Sequence, residues 1–177
     1  MLVIVDNGKG AEQIARLVRG QKAIMKPEKV DTKASAFILS DGDMKNQKAN
    51  EKIIKGTDKP LLAIGAASVF LASAFGGQAG KGKAEKQARV KIEHPCSLTL
   101  DMKKMFVVFK SCDAMLEDIP ESFDVFASSK YPFEIIGDNE RPFFGVHFNP
   151  EMGADGMKII DNFVKFAEVW EKYHRGR

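Results

Sequence analysis

The sequence predicts a single α/β domain over residues 1–177, with a mostly parallel β-sheet between two layers of helices and a small antiparallel section. Two observations support this prediction. In the first 75 residues, short apolar runs that are typical of buried strands alternate with longer segments of helical periodicity. Beyond residue 87, strand-like segments follow one another without long helices between them, as they do in antiparallel sheets.

Three strands and three helices are predicted in the first part of the chain. Each strand is an apolar run of four residues, and the first run ends at the turn-forming sequence Asp-Asn-Gly of residues 6–8. Ile14, Leu17 and Val18 recur at helical spacing and predict the helix that follows. The same reasoning places strands at 2–5, 36–39 and 61–64, and helices at 10–19, 44–55 and 66–75.

Five further strands and a long final helix are predicted in the second part. The final helix, over residues 154–173, carries its apolar side chains on one face and is therefore expected to cover the sheet. That face consists of Met157, Ile160, Phe163, Val164, Ala167 and Trp170. The strands are predicted at 88–92, 105–109, 123–127, 133–136 and 143–148.

Composition limits the classes of protein to which the chain can belong. With 27 Lys and Arg against 24 Asp and Glu, the net charge is +3, and 44% of the residues are hydrophobic, as in soluble globular domains. A chain of 177 residues buries enough apolar surface to fold without disulfides or a structural metal. Two cysteines and three histidines exclude a disulfide framework and a finger-type zinc site. We therefore expect no metal and no other cofactor.

The sequence also indicates where the protein is found. Its longest apolar stretch, residues 61–75, is too short to span a bilayer and is interrupted by Gly65, Ser68 and Ser73. The N-terminal residues lack the basic and apolar regions of a signal peptide, and the two thiols suit a reducing compartment. We expect a cytoplasmic protein that does not contact membranes.

Two segments resemble the catalytic motifs of class I glutamine amidotransferases. Residues 60–77, PLLAIGAASVFLASAFGG, resemble the segment that carries the nucleophilic cysteine of that family. Residues 143–151, FFGVHFNPE, resemble its G-V-Q-F-H-P-E segment, and residues 3–19, 37–42 and 119–129 resemble segments of the GMP synthase glutaminase subunit within the family. The resemblance runs in order from the first strand to the last helix, and it implies a flavodoxin-like three-layer fold.

The resemblance also implies which residues stand at the catalytic positions. The family hydrolyses glutamine with a Cys-His-Glu triad, and the motifs place Gly65 at the cysteine, Asn149 at the histidine and Glu151 at the glutamate. Glycine has no nucleophilic side chain, and an asparagine amide does not act as a general base near neutral pH. Of the triad, the sequence therefore keeps the Glu151 carboxylate alone.

The positions that bind substrate and oxyanion have changed as well. Five residues stand at these positions, namely Asp41, Gly42, Ala66, Val69 and Ser129. Val69 replaces a glutamine that contacts the substrate in the family, and Ser129 replaces a histidine. Asp41 replaces a glycine of the oxyanion strand and brings a carboxylate to the place where negative charge would develop.

We interpret the chain as a glutamine amidotransferase-like protein that does not hydrolyse glutamine and serves as a binding or regulatory subunit. The resemblance implies a synthetase subunit with ATP-pyrophosphatase activity as a partner, although another protein would serve equally well. The alternative is an active glutaminase or hydrolase with a rearranged site, which would supply ammonia to a synthetase such as GMP synthase. Its nucleophile would be Ser68, with His147 as the base, or else Cys112.

A basic segment at Lys81–Lys91 raises the question of nucleic-acid binding. It carries Lys81, Lys83, Lys86, Arg89 and Lys91 against Glu85. No aromatic residues lie between these charges, whereas proteins that bind single strands stack bases on aromatic side chains. We therefore interpret the segment as a solvated loop and a lysine-protected edge strand, and expect no nucleic-acid partner.

Overall fold

The protein is described by a computed structural model, which covers residues 1–31, 33–82 and 86–174. Its helices are α1 (Ala11–Leu17), α2 (Gln47–Gly56), α3 (Ala66–Ala74) and α4 (Ala154–His174). The strands of its first half are β1 (Leu2–Val5), β2 (Lys22–Met25), β3 (Ala36–Leu39), β4 (Leu61–Ile64) and β5 (Gln78–Lys81). Those of its second half are β6 (Gln87–Ile92), β7 (Met105–Phe109), β8 (Ala114–Asp118), β9 (Phe123–Ser128), β10 (Ile135–Asp138) and β11 (Phe143–Val146).

Nine strands form one mixed sheet in the order β2-β1-β3-β4-β11-β10-β9-β6-β7. The first five of these are parallel to one another, and β10, β9, β6 and β7 extend the sheet in antiparallel fashion. Strands β5 and β8 form a separate antiparallel pair. The prediction of an α/β fold with a mostly parallel sheet and an antiparallel section is confirmed.

Two apolar layers, one on each face of the sheet, hold the fold together. Helices α1 and α4 pack on one face, where Phe148 and Phe163 are fully buried. Helices α2 and α3 pack on the other. Eight of the nine residues of α3 are buried, as its nearly continuous apolar sequence predicts, so this helix lies inside the domain.

The register of the central strands brings the carboxyl ends of β3, β4 and β11 together. Leu39 of β3 lies opposite Ala63 of β4, and Val146 of β11 lies opposite Ile64. Because these strands are parallel, the segments that follow each of them emerge at the same edge of the sheet. In parallel α/β sheets, ligands bind at the carboxyl ends of the strands, so this edge is where a site is expected.

Three strands were missing from the sequence prediction. The side chains of β2 alternate between exposed and half-buried at the sheet edge, most of β5 is exposed, and β8 pairs outside the main sheet. None of them has the continuous apolar run that identified the central strands. Boundaries also differ: the first helix is only Ala11–Leu17, because the next residue is extended, and the helix predicted at 44–55 begins with a 3-10 turn, Met44–Asn46.

No helix within the described ranges is both long and apolar enough to cross a membrane.

Candidate functional site

A tight turn at Gly65 joins β4 to α3. The backbone of Gly65 has φ 58° and ψ −122°, a conformation that costs little for glycine and is strained for other residues. Its N–H donates to the Val146 carbonyl at 2.9 Å, which ties the turn to β11. The strand, the strained turn and the helix reproduce the geometry of a nucleophile elbow, with no side chain at its tip.

The carboxylate of Asp41 lies against this turn, fully buried at the end of β3. Its Oδ1 accepts hydrogen bonds from the backbone N–H of Gly42 at 2.8 Å and from that of Ala66 at 2.9 Å. Its Oδ2 accepts from the Ser111 hydroxyl at 2.6 Å and from Asn149 Nδ2 at 3.2 Å. Four donors from four segments therefore compensate for removing the carboxylate from water.

Two of these donors are backbone amides at positions 42 and 66, where the sequence predicts oxyanion binding. An oxyanion hole consists of preorganised N–H groups that converge on one oxygen, and the N–H after the nucleophile position is a common member. The N–H groups of Gly42 and Ala66 converge in this way on Asp41 Oδ1. A carboxylate oxygen of the chain itself thus takes both hydrogen bonds.

Asp41 also occupies the space next to Gly65 where a side chain would begin. A Cβ atom added at Gly65 would lie 2.5 Å from both Cγ and Oδ1 of Asp41, and 2.8 Å from its Cβ. These separations are far inside van der Waals contact, and the atoms belong to a buried, four-bonded side chain. A cysteine at position 65 and the observed position of Asp41 therefore exclude each other.

Asn149 connects Asp41 to Glu151. The N–H of Ser111 donates to Asn149 Oδ1 at 2.8 Å, which orients the amide. Asn149 Nδ2 then donates to Asp41 Oδ2 and to Glu151 Oε1, both at 3.2 Å. The second carboxyl oxygen of Glu151 is buried and has no hydrogen-bond partner among the described residues. A Cβ at Gly10, which has φ 79°, would overlap this carboxyl group, so glycine is required there as well.

Burial changes the ionisation of Glu151. It raises the pKa of this carboxyl to about 7, and the negative charge of Asp41 acts in the same direction. Hydrogen bonds from its own backbone and from Asn149 act in the opposite direction but are weaker. Glu151 is therefore protonated in a large fraction of molecules at neutral pH.

A cavity of about 290 Å³ opens beside the elbow. Gly42 and Ala66 line one wall, and Cys112 and Ala114 line another, with Lys9 at the cavity as well. Burial raises the pKa of the Cys112 thiol to about 11, and the charge of Asp41 adds to this effect. At neutral pH Cys112 is therefore a thiol rather than the thiolate that acts as a nucleophile.

Ser68 and His147, the alternative nucleophile and base, each form a hydrogen bond with a backbone carbonyl rather than with each other. The Ser68 hydroxyl is buried inside α3 and donates to the Gly65 carbonyl at 2.7 Å. His147 is buried as well, and its Nε2 donates to the Ala114 carbonyl at 2.6 Å while its ring packs on Tyr131. Burial lowers the pKa of His147 to about 4, so the ring is neutral at pH 7.

The remaining predicted positions lie outside this network. Val69 is a fully buried core residue of α3. The Ser129 hydroxyl donates to Glu134 Oε1, which also forms a 2.7 Å ion pair with the buried Lys110. Sequence reasoning missed both Lys110 and Ser111, because they lie in an irregular connection that has no periodicity or motif.

The basic segment is only partly described, since Lys83 and Glu85 lie outside the described residues. Arg89 and Lys91 are exposed on β6, and Lys91 forms a 2.8 Å ion pair with Glu93. Strand β6 lies between β9 and β7, so the interpretation of these residues as part of an edge strand is wrong. No group of His, Cys, Asp and Glu within the described parts of the chain is arranged to hold a metal ion.

Comparisons with known proteins identify similar sequences and folds. The model of the family described as glutamine amidotransferase class-I matches residues 4–166. The chain is 30% identical to a glutamine-hydrolyzing GMP synthase subunit of Pyrococcus abyssi, covering 94% of this chain and 98% of that protein. It is 27% identical to the protein of the same name from Methanocaldococcus jannaschii, covering 93% and 96%.

Two solved structures share the fold. A Thermoplasma acidophilum protein described as a candidate GMP synthase subunit superposes with a TM-score of 0.90 at 20% identity, covering 98% of this chain and 96% of the other. A glutamine amidotransferase of Thermotoga maritima superposes with a TM-score of 0.69 at 17% identity, covering 99% and 85%. At these identities the likeness concerns the fold alone.

Proposed function

Because the chain belongs to the class I glutamine amidotransferase family, we propose that it is a member that does not hydrolyse glutamine and serves as a binding or regulatory subunit. The observation that supports this most is the position of the Asp41 carboxylate, which accepts hydrogen bonds from the amides of both Gly42 and Ala66. These are the two groups that would stabilise a tetrahedral intermediate.

The chemistry of amide hydrolysis supports the same proposal. The reaction needs a nucleophile, a base and a donor pair for the developing oxyanion. Gly65 offers no nucleophile, and the Asn149 amide takes up no proton near neutral pH. An oxyanion formed at the elbow would meet a negative carboxylate instead of unoccupied amides, so the site would raise the energy of the intermediate.

The names of the relatives suggest the partner. The relatives in Pyrococcus abyssi and Methanocaldococcus jannaschii are named as subunits, which implies a second chain. The chain aligns with nearly their whole length. We propose a synthetase subunit with ATP-pyrophosphatase activity as the partner, in the cytoplasm.

Two measurements on the purified chain test this proposal. Glutamate release from glutamine is measured for the chain alone and with the synthetase subunit of the same organism, with the Pyrococcus abyssi relative as a positive control. We expect no release above the buffer rate, together with a stable complex in size-exclusion chromatography. Release that is proportional to the concentration of this chain would refute the loss of hydrolysis, and absence of a complex would refute the partner.

A second function, a hydrolase with a different nucleophile, rests on the position of Cys112 in the wall of the cavity next to Ala66. Any activity found should be compared with that of the C112A and S68A variants. Loss of activity in C112A would establish the cavity thiol as the nucleophile, whereas loss in S68A alone would assign that role to the hydroxyl of α3.

A further inference from the structure

Residues 110–113, which connect β7 to β8, run across the catalytic positions, and we call them the strap. Asn149 fixes the start of the strap: its N–H donates to the carbonyl of Phe109, the residue before the strap, at 2.7 Å, and its Oδ1 accepts from the N–H of Ser111 at 2.8 Å. Cys112 and Asp113 of the strap form one wall of the 290 Å³ cavity. A displacement of the strap would therefore change the shape and opening of that cavity.

Ser111 connects the strap to a chain of acidic groups. Its hydroxyl donates to Asp41 Oδ2 at 2.6 Å, and the same oxygen accepts from Asn149 Nδ2, which also donates to Glu151 Oε1. One amide group thus bridges two buried carboxyl groups, while one serine fixes the strap to both the amide and the nearer carboxylate.

We propose that Asp41, Asn149 and Glu151 form a pH-dependent latch that holds the strap over the cavity while Glu151 carries a proton and releases it when Glu151 ionises. The latch concerns access to the cavity, and it operates whether or not the chain hydrolyses glutamine.

Burial, and to a smaller extent like charge, are the physical reasons for the release. An ionised Glu151 would lie one amide away from the Asp41 carboxylate, with its second oxygen buried and without a hydrogen-bond partner among the described residues. Movement of Glu151 towards water relieves both costs, and it removes one of the two acceptors of Asn149 Nδ2, which weakens the network that fixes Ser111. Lys9 does not compensate, because its Nζ is directed to the Ser111 carbonyl at 3.5 Å.

None of the ion pairs among the described residues joins Glu151 to a cation of the elements packed against its segment, Pro150–Met152. Strand β7 carries no ionisable residue. In α4, Asp155 Oδ2 accepts a hydrogen bond from the Val107 N–H, and in α1 both Glu12 and Arg16 are exposed. Burial therefore contributes most to the raised pKa of Glu151, and the charge of Asp41 adds a smaller effect in the same direction.

The sign of the pH dependence follows from the raised pKa of Glu151. Burial raises this pKa from 4.5 to about 7 in the closed form, so the closed form is favoured most below pH 4.5 and loses this advantage as the pH rises to about 7. In the open form Glu151 is in water and has its ordinary pKa of 4.5. The ratio of open to closed molecules then increases on the order of 50-fold between pH 5 and pH 8 and is nearly constant at higher pH.

Cys112 reports the opening because it lies in the strap and is 6% exposed. In a C96S background it is the one remaining cysteine, since the chain has two. The rate of its modification by a soluble aromatic disulfide is measured from pH 5 to pH 8 and divided by the rate in the E151Q variant at the same pH. This division removes the titration of the thiol itself. We expect the ratio to rise on the order of 50-fold, and a ratio that does not change would overturn the latch.

Two further measurements make the result independent of how E151Q folds. The protection factor of the Ser111 amide in the native chain, measured by hydrogen exchange, should fall over the same pH range, because this N–H holds the strap to Asn149. In S111A, where the hydroxyl bond to Asp41 is lost, Cys112 should react rapidly at every pH after correction for its own titration. Unchanged protection of the Ser111 amide, or a slow S111A reaction, would contradict the proposal.

Discussion

Replacement of Asp41 by alanine tests the four-donor site. The variant loses the acceptor of two backbone N–H groups and two side-chain donors. The side chains of Ser111 and Asn149 can turn to other partners, whereas the amides of Gly42 and Ala66 are fixed by the backbone. A buried donor left without a partner costs roughly 1–3 kcal/mol, so the two amides together cost about 2–6 kcal/mol.

Two effects reduce this cost. Water can enter from the neighbouring cavity, and removing a buried charge relieves its desolvation. We therefore expect the free energy of unfolding of D41A to be about 2–4 kcal/mol lower than that of the native chain. Urea unfolding, followed by the fluorescence of the single tryptophan, Trp170, measures this difference. D58A is the matched control, because Asp58 is largely exposed and contacts only Lys59 among the ion pairs of the described residues.

Rescue by a small carboxylate makes the test specific. Formate has the size of the removed carboxylate group, so it should bind the freed amides of D41A and raise the urea midpoint of that variant. The midpoints of the native chain and of D58A should not respond, and chloride at the same ionic strength should have a smaller effect on D41A. If D41A were as stable as the native chain, or if formate raised all three midpoints equally, the proposed role of the carboxylate would be wrong.

Three further predictions concern neighbouring positions. Gly65→Ala should destabilise the native chain more than it destabilises D41A, because the added Cβ meets Asp41 at 2.5 Å, and a double-mutant cycle in urea should give a coupling of about 0.5–3 kcal/mol. Lys110→Met should cost about 3–5 kcal/mol, because it removes the buried ammonium that pairs with the Glu134 carboxylate, and the cost should fall when Glu134→Gln is added. Asn149→His should place an imidazole beside the Asp41 carboxylate, so the pKa of that imidazole, measured by NMR, should lie above 6.5. The stabilisation from this charge pair should be complete below pH 6.5 and should decline as the pH rises through the raised pKa.

The central fold could be predicted from the sequence because its strands are continuous apolar runs. β1, β3 and β4 are buried on both faces, and such strands need apolar residues at every position. The edge strand β2 and the separate pair β5 and β8 carry mixed side chains, since one face or one edge meets water. Local sequence therefore does not distinguish these strands from loops.

The candidate site could be predicted in part. The motifs located Gly65, Asn149 and Glu151, and the structure brings all three to the end of the parallel strands together with Asp41. The role of Ser111 could not be foreseen, because it depends on the path of an irregular connection across the site. Sequence also placed a carboxylate near the oxyanion position, but only the folded structure shows it accepting both backbone amides.

The hydrogen bond between the Ala66 amide and the Asp41 carboxylate is the contact on which the proposed loss of hydrolysis depends most. The scalar coupling between Ala66 ¹⁵N and Asp41 ¹³Cγ, recorded on the native protein labelled with both isotopes, measures this hydrogen bond directly. The bond from the Gly65 N–H to the Val146 carbonyl, also 2.9 Å long, serves as a control in the same sample. We predict that both couplings are observed and that the first disappears in D41A. Detection of the Gly65 coupling without the Ala66 coupling in the native chain would contradict this prediction and the role assigned to Asp41.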